Sequence, residues 1–117
     1  MPTIRDLVGA IRQREGVEAA VVLGRDGLLI DGQSVPNLDA EDVAAHVPSI
    51  IAAADEFGAA ADRGPLTTAI LEHPKGIAIV TVLSQEAVLL VLVQHTANIG
   101  QLLFELRRNR EHIASLV

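Results

Sequence analysis

A chain of 117 residues, 50% hydrophobic and 21% charged, has the length of one compact domain and is too apolar for a disordered tail. Two Phe, no Trp and no Tyr leave a core of Val, Ile, Leu and Ala, and a net charge of -6, from 9 basic against 15 acidic residues, argues against a nucleic-acid partner. Without cysteine there are no disulfides and no thiol chemistry, which fits a reducing cytoplasm.

The amino terminus, MPTIRDLVGAIRQREG, carries charges among its apolar positions and does not read as a targeting segment. Thr3 and Asp6 form a capping box ahead of Ile4, Leu7, Val8 and Ile11, one helical stripe that predicts a first helix over residues 3–15, ended by Gly16. Val17 to Leu23 reads as a strand and Leu28 to Gln33 as its hairpin partner. Between them GRDG, residues 24–27, is a tight turn whose Asp-Gly supplies positive-φ positions. Asp31 and Gly32 suit a sheet edge.

The segment LDAEDVAAHVPSIIAAADEFGAAAD predicts a long second helix with Asp39 as its cap and Val43, Val47, Ile50, Ala54, Phe57 and Ala61 on its buried face. Pro48 removes a backbone donor inside it and predicts a kink. A second face of Ala45, Ser49, Ala52, Glu56 and Ala59 is small enough for another helix to approach closely. Glu41, Asp42, Asp55, Glu56 and Asp62 make an acidic side that reads as solvated or partner-facing, because nothing in the surrounding sequence reads as an acid/base pocket.

Three further strands follow at Leu66 to His73, Ile77 to Ser84 and Ala87 to Gln94, joined by the turn HPKG and by Ser84-Gln85-Glu86. The last two are apolar at odd and even positions alike, so helices must cover both faces of the sheet. The longest apolar run, Ala87 to Val93, is far below the roughly 18 to 20 residues of a spanning helix, and no direct membrane insertion is expected. In QHTANIGQLLFEL, Thr96 and Asn98 suit helix caps and Gly100 would let the first turn approach the sheet. The final helix carries Ile99, Leu102, Leu103, Leu106, Ile113 and Leu116 inside and Arg107, Arg108 and Arg110 outside.

Chemistry is sparse in this pattern. There is neither a phosphate-cradling G-x-x-x-x-G-K-[ST] nor a G-x-G-x-x-G, and the lone lysine, Lys75, sits in a turn. His46, His73, His95 and His112 lie in separate elements without metal-ligand spacing, and no nucleophile elbow surrounds Ser34, Ser49, Ser84 or Ser115. A catalytic His95 would need a base, an orienting partner and a pocket, none of which is legible. No catalytic residue, cofactor or metal site is predicted.

In order and spacing the hairpin GRDGLLI, the helix VAAHVPSIIAAADEFG, the strands TTAILE, GIAIVTVL and AVLLVLV, and the entry TANIGQLLFELRR resemble the roadblock/LC7 family over essentially the whole chain. Bacterial gliding-motility regulators of Ras-like GTPases belong to that family. Pro48 departs from its pattern, and the sequence ends at Val117 on the last helix where some bacterial relatives continue into an extra segment. The resemblance implies a three-layer α/β/α sandwich on a five-stranded antiparallel sheet in the order 2-1-5-4-3, with the first and last helices on one face and the second helix on the other. It further implies a cytoplasmic, non-enzymatic homodimer that binds a small Ras-like GTPase. Ala45, Ser49, Ala52 and Ala59 of the second helix and Thr67, Thr68 and Ile70 of the third strand are the expected dimer contacts. Asp42, Asp55 and Glu56 are the expected GTPase contacts. The alternatives are a dimeric scaffold or adaptor without effect on nucleotide turnover, and a small enzyme or ligand-sensing module using a pocket near His95 or His73.

Overall fold

Thr3 Oγ1 accepts from the Asp6 N–H and Asp6 Oδ2 accepts from the Thr3 N–H, so the capping box read from the sequence starts the first helix. The computed structural model describes residues 2–117. In chain order its elements are α1 (Ile4–Arg12), β1 (Val17–Gly24), β2 (Leu29–Ser34), α2 (Ala40–Ala60), β3 (Thr68–His73), β4 (Gly76–Val82), β5 (Ala87–Val93), α3 (Ile99–Arg108) and α4 (Arg110–Ser115). The strands form one antiparallel sheet, β2-β1-β5-β4-β3, as expected.

Period-two alternation splits the central strands between two cores. On one face Val8 and Ile11 of α1, Leu102 and Leu106 of α3 and Ile113 of α4 pack against Ala20, Val22, Ile79, Leu89 and Val91. On the other Ala44, Val47 and Ile51 of α2 pack against Ala19, Val21, Leu23, Val80, Val88 and Leu90. Each fully buried Val or Leu is worth about 1.5–3 kcal/mol, so the two-sided strands β1 and β5 dominate the stability of the molecule.

The hairpin turn is looser than expected. Gly27 N–H donates to Gly24 O, Gly24 N–H donates to Leu28 O, and among the described residues of the turn Gly27 alone has positive φ, at 90°. This is a three-residue loop closed by Gly27, and a separate bulge follows on β2, where Ile30 is the extra residue between Leu29, opposite Leu23, and Asp31, opposite Val22. Gly27 also explains Pro48. The proline ring packs against this turn so closely that a Cβ on Gly27 would meet Pro48 Cγ at 3.1 Å, and α2 runs through Pro48 as one continuous element.

Other expectations are corrected. The buried positions of α2 are Ala44, Val47, Ile51 and Gly58, while Phe57 lies 73% exposed. The final helix is broken at Asn109 into α3 and α4. Of the two candidate caps, Asn98 is the one used, accepting from Gln101 N–H at 3.3 Å. Gly100 is exposed and approaches no strand; the close approaches belong to Gly16, against Ala97, and Gly76, against Val93 O.

At its carboxyl end α2 closes with Asp62 at φ 57°, the Arg63 N–H on Gly58 O at 2.7 Å and the Asp62 N–H on Ala59 O at 3.3 Å, a Schellman arrangement. The returning chain lies directly on Gly58, where any Cβ would run into the carbonyl oxygen of Gly64. Gly58→Ala should therefore cost about 1–3 kcal/mol and lower the calorimetric melting temperature by several degrees; an unchanged melt would show that the return loop is free to move away.

Candidate interaction surface

Because α2 buries one narrow stripe, the residues half a turn away are driven outward. Ala45, Ser49, Ala52, Glu56 and Ala59 are all outside that stripe, so the small-residue face read from the sequence is real as a surface. Ala53, Phe57 and Ala60 follow at spacings of four and three and widen it with an aromatic ring. Phe57 was missed as a surface residue, although the signal was present: an aromatic on an alanine-rich helix fits either side, and both phenylalanines of this chain are exposed, Phe104 by 59%.

The strand residues predicted beside this ridge do not share one face. Ala69 packs into the α2-side core, so Thr67, two residues before it, belongs to the same side. Thr68 and Ile70 face the α1/α3/α4 side, where Thr68 Oγ1 accepts from Arg110 Nη2 at 3.1 Å and Ile70 is 44% exposed. Arg110 is accordingly half-buried against the sheet, not part of the exposed outer row with Arg107 and Arg108.

Nor do the three predicted acidic contacts form a cluster. Asp42 sits in the first turn of α2, where its N–H is capped by Asp39, and Glu56 is 14 residues farther along, about 21 Å at 1.5 Å per residue. Asp55 is half-buried and already engaged: its Oδ1 accepts from the Leu66 N–H at 2.7 Å and its Oδ2 lies 3.5 Å from Arg25 Nη2. It ties the middle of the chain to the β1–β2 turn and to the approach to β3. Glu56 and Asp42 remain exposed.

The region of QHTANIGQLLFEL borders a cleft of about 500 Å³ lined by Arg14, Gly16, Gln94, Thr96, Asn98 and Gln101, among others. His95 is exposed and outside that lining. Arg14 is paired with Glu105, and Asn98 caps α3, so these polar groups serve the fold. His73 borders a shallower hollow of about 230 Å³ with Lys75 and Leu92. Among the described residues no group of three His, Cys, Asp or Glu is placed to hold a metal ion, and no helix is long and apolar enough to cross a membrane.

A five-stranded antiparallel sheet flanked by helices on both faces, with exposed apolar residues on a helix ridge and a strand edge, defines a mixed α/β domain of known architecture. The chain belongs to the Roadblock/LC7 domain family, whose model matches residues 3–93. It is 29% identical over 106 residues to an uncharacterized protein of Methanocaldococcus jannaschii, MJ1340, spanning 91% of this chain and 92% of that one. In structure it is similar to Myxococcus xanthus MglB, with a TM-score of 0.86 at 14% identity over 97% of this chain and 93% of that chain. It is likewise similar to the gliding protein MglB of Thermus thermophilus, with a TM-score of 0.84 at 14% identity over 97% and 87%. At such identities the likeness is one of fold.

The different surroundings of Asp55 and Glu56 have a measurable consequence. Asp55→Lys removes the acceptor of a half-buried N–H and places two cations together, and should cost about 1–3 kcal/mol in urea unfolding. Glu56→Lys should stay within about 0.5 kcal/mol of wild type. Equal midpoints for the two variants would contradict the structural role given to Asp55.

Proposed function

We propose that the protein is a non-enzymatic, cytoplasmic homodimer that docks a small Ras-like GTPase and shifts its nucleotide cycle. The observation that carries this reading is the outward ridge of α2, with Ala45, Ser49, Ala52 and Ala59 along its length, on a fold of the Roadblock/LC7 family and beside a β3 edge with no strand on its far side. Small side chains allow two helices to approach to about 8 Å and lose little rotamer entropy on contact. Two copies of α2 side by side would also double whatever each ridge presents, making one composite surface flanked by Asp42 and Glu56.

Such a platform needs no reactive group. It acts by binding one conformation of the GTPase better than another, and a tenfold shift requires only about 1.4 kcal/mol of differential affinity. Exposed carboxylates favour a basic patch on the partner and make association fall with salt.

Ala52→Arg should weaken self-association at least tenfold in sedimentation equilibrium, because a long charged side chain enters a close helix contact. Glu56→Lys should weaken binding to the cognate GTPase and flatten its salt dependence, whereas His95→Ala should change neither binding nor hydrolysis. A wild-type protein that sediments as a monomer at micromolar concentration defeats the dimer, and binding without any change in GTP turnover moves the assignment to a scaffold. Loss of regulation in His95→Ala would instead point to the segment around residues 94–98 as the functional site.

A further inference from the structure

The outward side of α3 carries three features that the fold leaves unexplained. Gly100 lies inside the helix without a positive φ, and the one atom a Cβ there would approach is Asn98 Oδ1, at 3.6 Å. A glycine in a helix costs about 0.5–1 kcal/mol relative to alanine, and no contact within this chain requires it at this position. One turn on, Phe104 is 59% exposed. A further turn on, Arg107 and Arg108 are exposed and, among the described residues, form no ion pair. The macrodipole at the end of α3 accounts for cations there, but not for the glycine or the ring.

These residues recur at helical intervals of three and four and so form one stripe along α3. Gly100, Leu103, Phe104, Arg107 and Arg108 together line a shallow hollow of about 510 Å³. Its first half is apolar: the missing side chain at Gly100 leaves a dent walled by the Phe104 ring and by Leu103, itself packed on the core. Its second half is cationic. Helices α3 and α4 hold three arginines against Glu105 and Glu111, and Glu105 is already taken by Arg14, in a chain whose net charge is -6. A local positive patch on an acidic protein selects an anionic partner.

We infer that this stripe is a second docking surface, for an acidic amphipathic helix of another protein, whose apolar side chain enters the dent at Gly100 and whose carboxylates meet Arg107 and Arg108. On a helix laid along α3 those carboxylates stand one to two turns, about 5–11 Å, from the apolar anchor. The glycine lets the two backbones approach closely at the anchor, and the arginine pair fixes the direction of the incoming helix. An anionic bilayer fits the stripe less well. Two basic side chains contribute only about 1 kcal/mol each near such a surface, the large apolar face of α3 is turned to the core, and the molecule as a whole is acidic. The same net charge disfavours nucleic acid. Because α3 and α2 cover opposite faces of the sheet, an occupant here leaves the α2 ridge free, and the inference stands independently of the dimer and of the GTPase.

The probe is a synthetic helical peptide with leucines on one turn and glutamates on the following two, compared with the same peptide carrying lysines in place of the glutamates. Titrated into the isotope-labelled protein, the glutamate peptide should shift the amide NMR signals of residues 100–108 and leave those of α2 unchanged. Arg107→Glu combined with Arg108→Glu should weaken it at least roughly tenfold and make the lysine peptide the tighter ligand. Gly100→Leu fills the dent without changing charge. It should keep or raise the melting temperature, since leucine is the better helix former, yet weaken binding of the glutamate peptide at least roughly tenfold. Shifts that fall elsewhere or nowhere, equal affinity for the two peptides, or full affinity in Gly100→Leu would each overturn the inference. So would phosphatidylserine vesicles that retain wild type and release the double arginine variant, which would assign the stripe to a membrane. A lower oligomeric state of that variant in sedimentation would assign it to a second copy, and would overturn the inference equally.

Discussion

The structure depends on two strands that have no polar side. Val17, Ala19, Ala20, Val21, Val22 and Leu23 of β1 are buried, as are Ala87 to Val91 and Val93 of β5, and a sheet with such a centre must be covered on both faces. The chain meets this demand unevenly. Both α1 and α2 pack near β2, and Asp31, Gly32 and the bulge at Ile30 blunt that edge further. At the opposite end β3 has its free ladder, Ile70 and Glu72 open to solvent. An antiparallel sheet that is not closed must have two edges; here one is guarded and the other is left open.

Laying α2 across β1, β5 and β4 decides what the surface can do. The helix is fixed at both ends, by Asp39 accepting from the Glu41 and Asp42 N–H groups and by the Schellman closure on Gly58, and it is held in its second half by Asp55. Pro48 costs it one backbone hydrogen bond but gains a contact with the β1–β2 turn at Gly27. A helix clamped at three points presents its outer residues in a fixed arrangement. Alanine and serine have little rotamer freedom to lose, so a partner docking on Ala45, Ser49 and Ala52 orders almost nothing that was not ordered already.

Much of this was legible in the sequence because it rests on local rules. Element order, the capping box, the two-sided strands and the polar edge of β2 each follow from composition and period within a few residues. What failed needed the third dimension. In α2 the readings 43, 47, 50, 54 and 44, 47, 51, 58 both have helical spacing, and in an alanine-rich helix Ala44 and Ala54 offer no contrast; the sheet, not the period, decides which goes inside. The size of Phe57 pulled the stripe toward the wrong flank. Asp55 and Glu56 look equivalent as letters, and they diverge only because the chain returning toward β3 brings the Leu66 N–H to Asp55. Arg110 follows the same logic. Its helix periodicity suggests solvent, whereas the break at Asn109 and the proximity of Thr68, 42 residues earlier, turn it to the sheet.

A binding surface is recognised by interactions it has left unmade, and these are unevenly spread over the molecule. Around residues 94–98 polar groups are numerous and several are already engaged: Asn98 caps a helix, Gln94 N–H reaches Gly16 O, and Arg14 has Glu105. Along α2 and β3 the opposite holds, with Phe57 and Ile70 exposed, a ladder unpaired, and Arg110 and Thr81 each retaining an unused polar atom. Polar density alone would favour the first region, but free energy of association comes from groups whose solvation or pairing improves on contact. By that criterion the helix ridge and strand edge hold more unmade interactions than the polar cleft beside residues 94–98, and this is why the proposal places a second chain there.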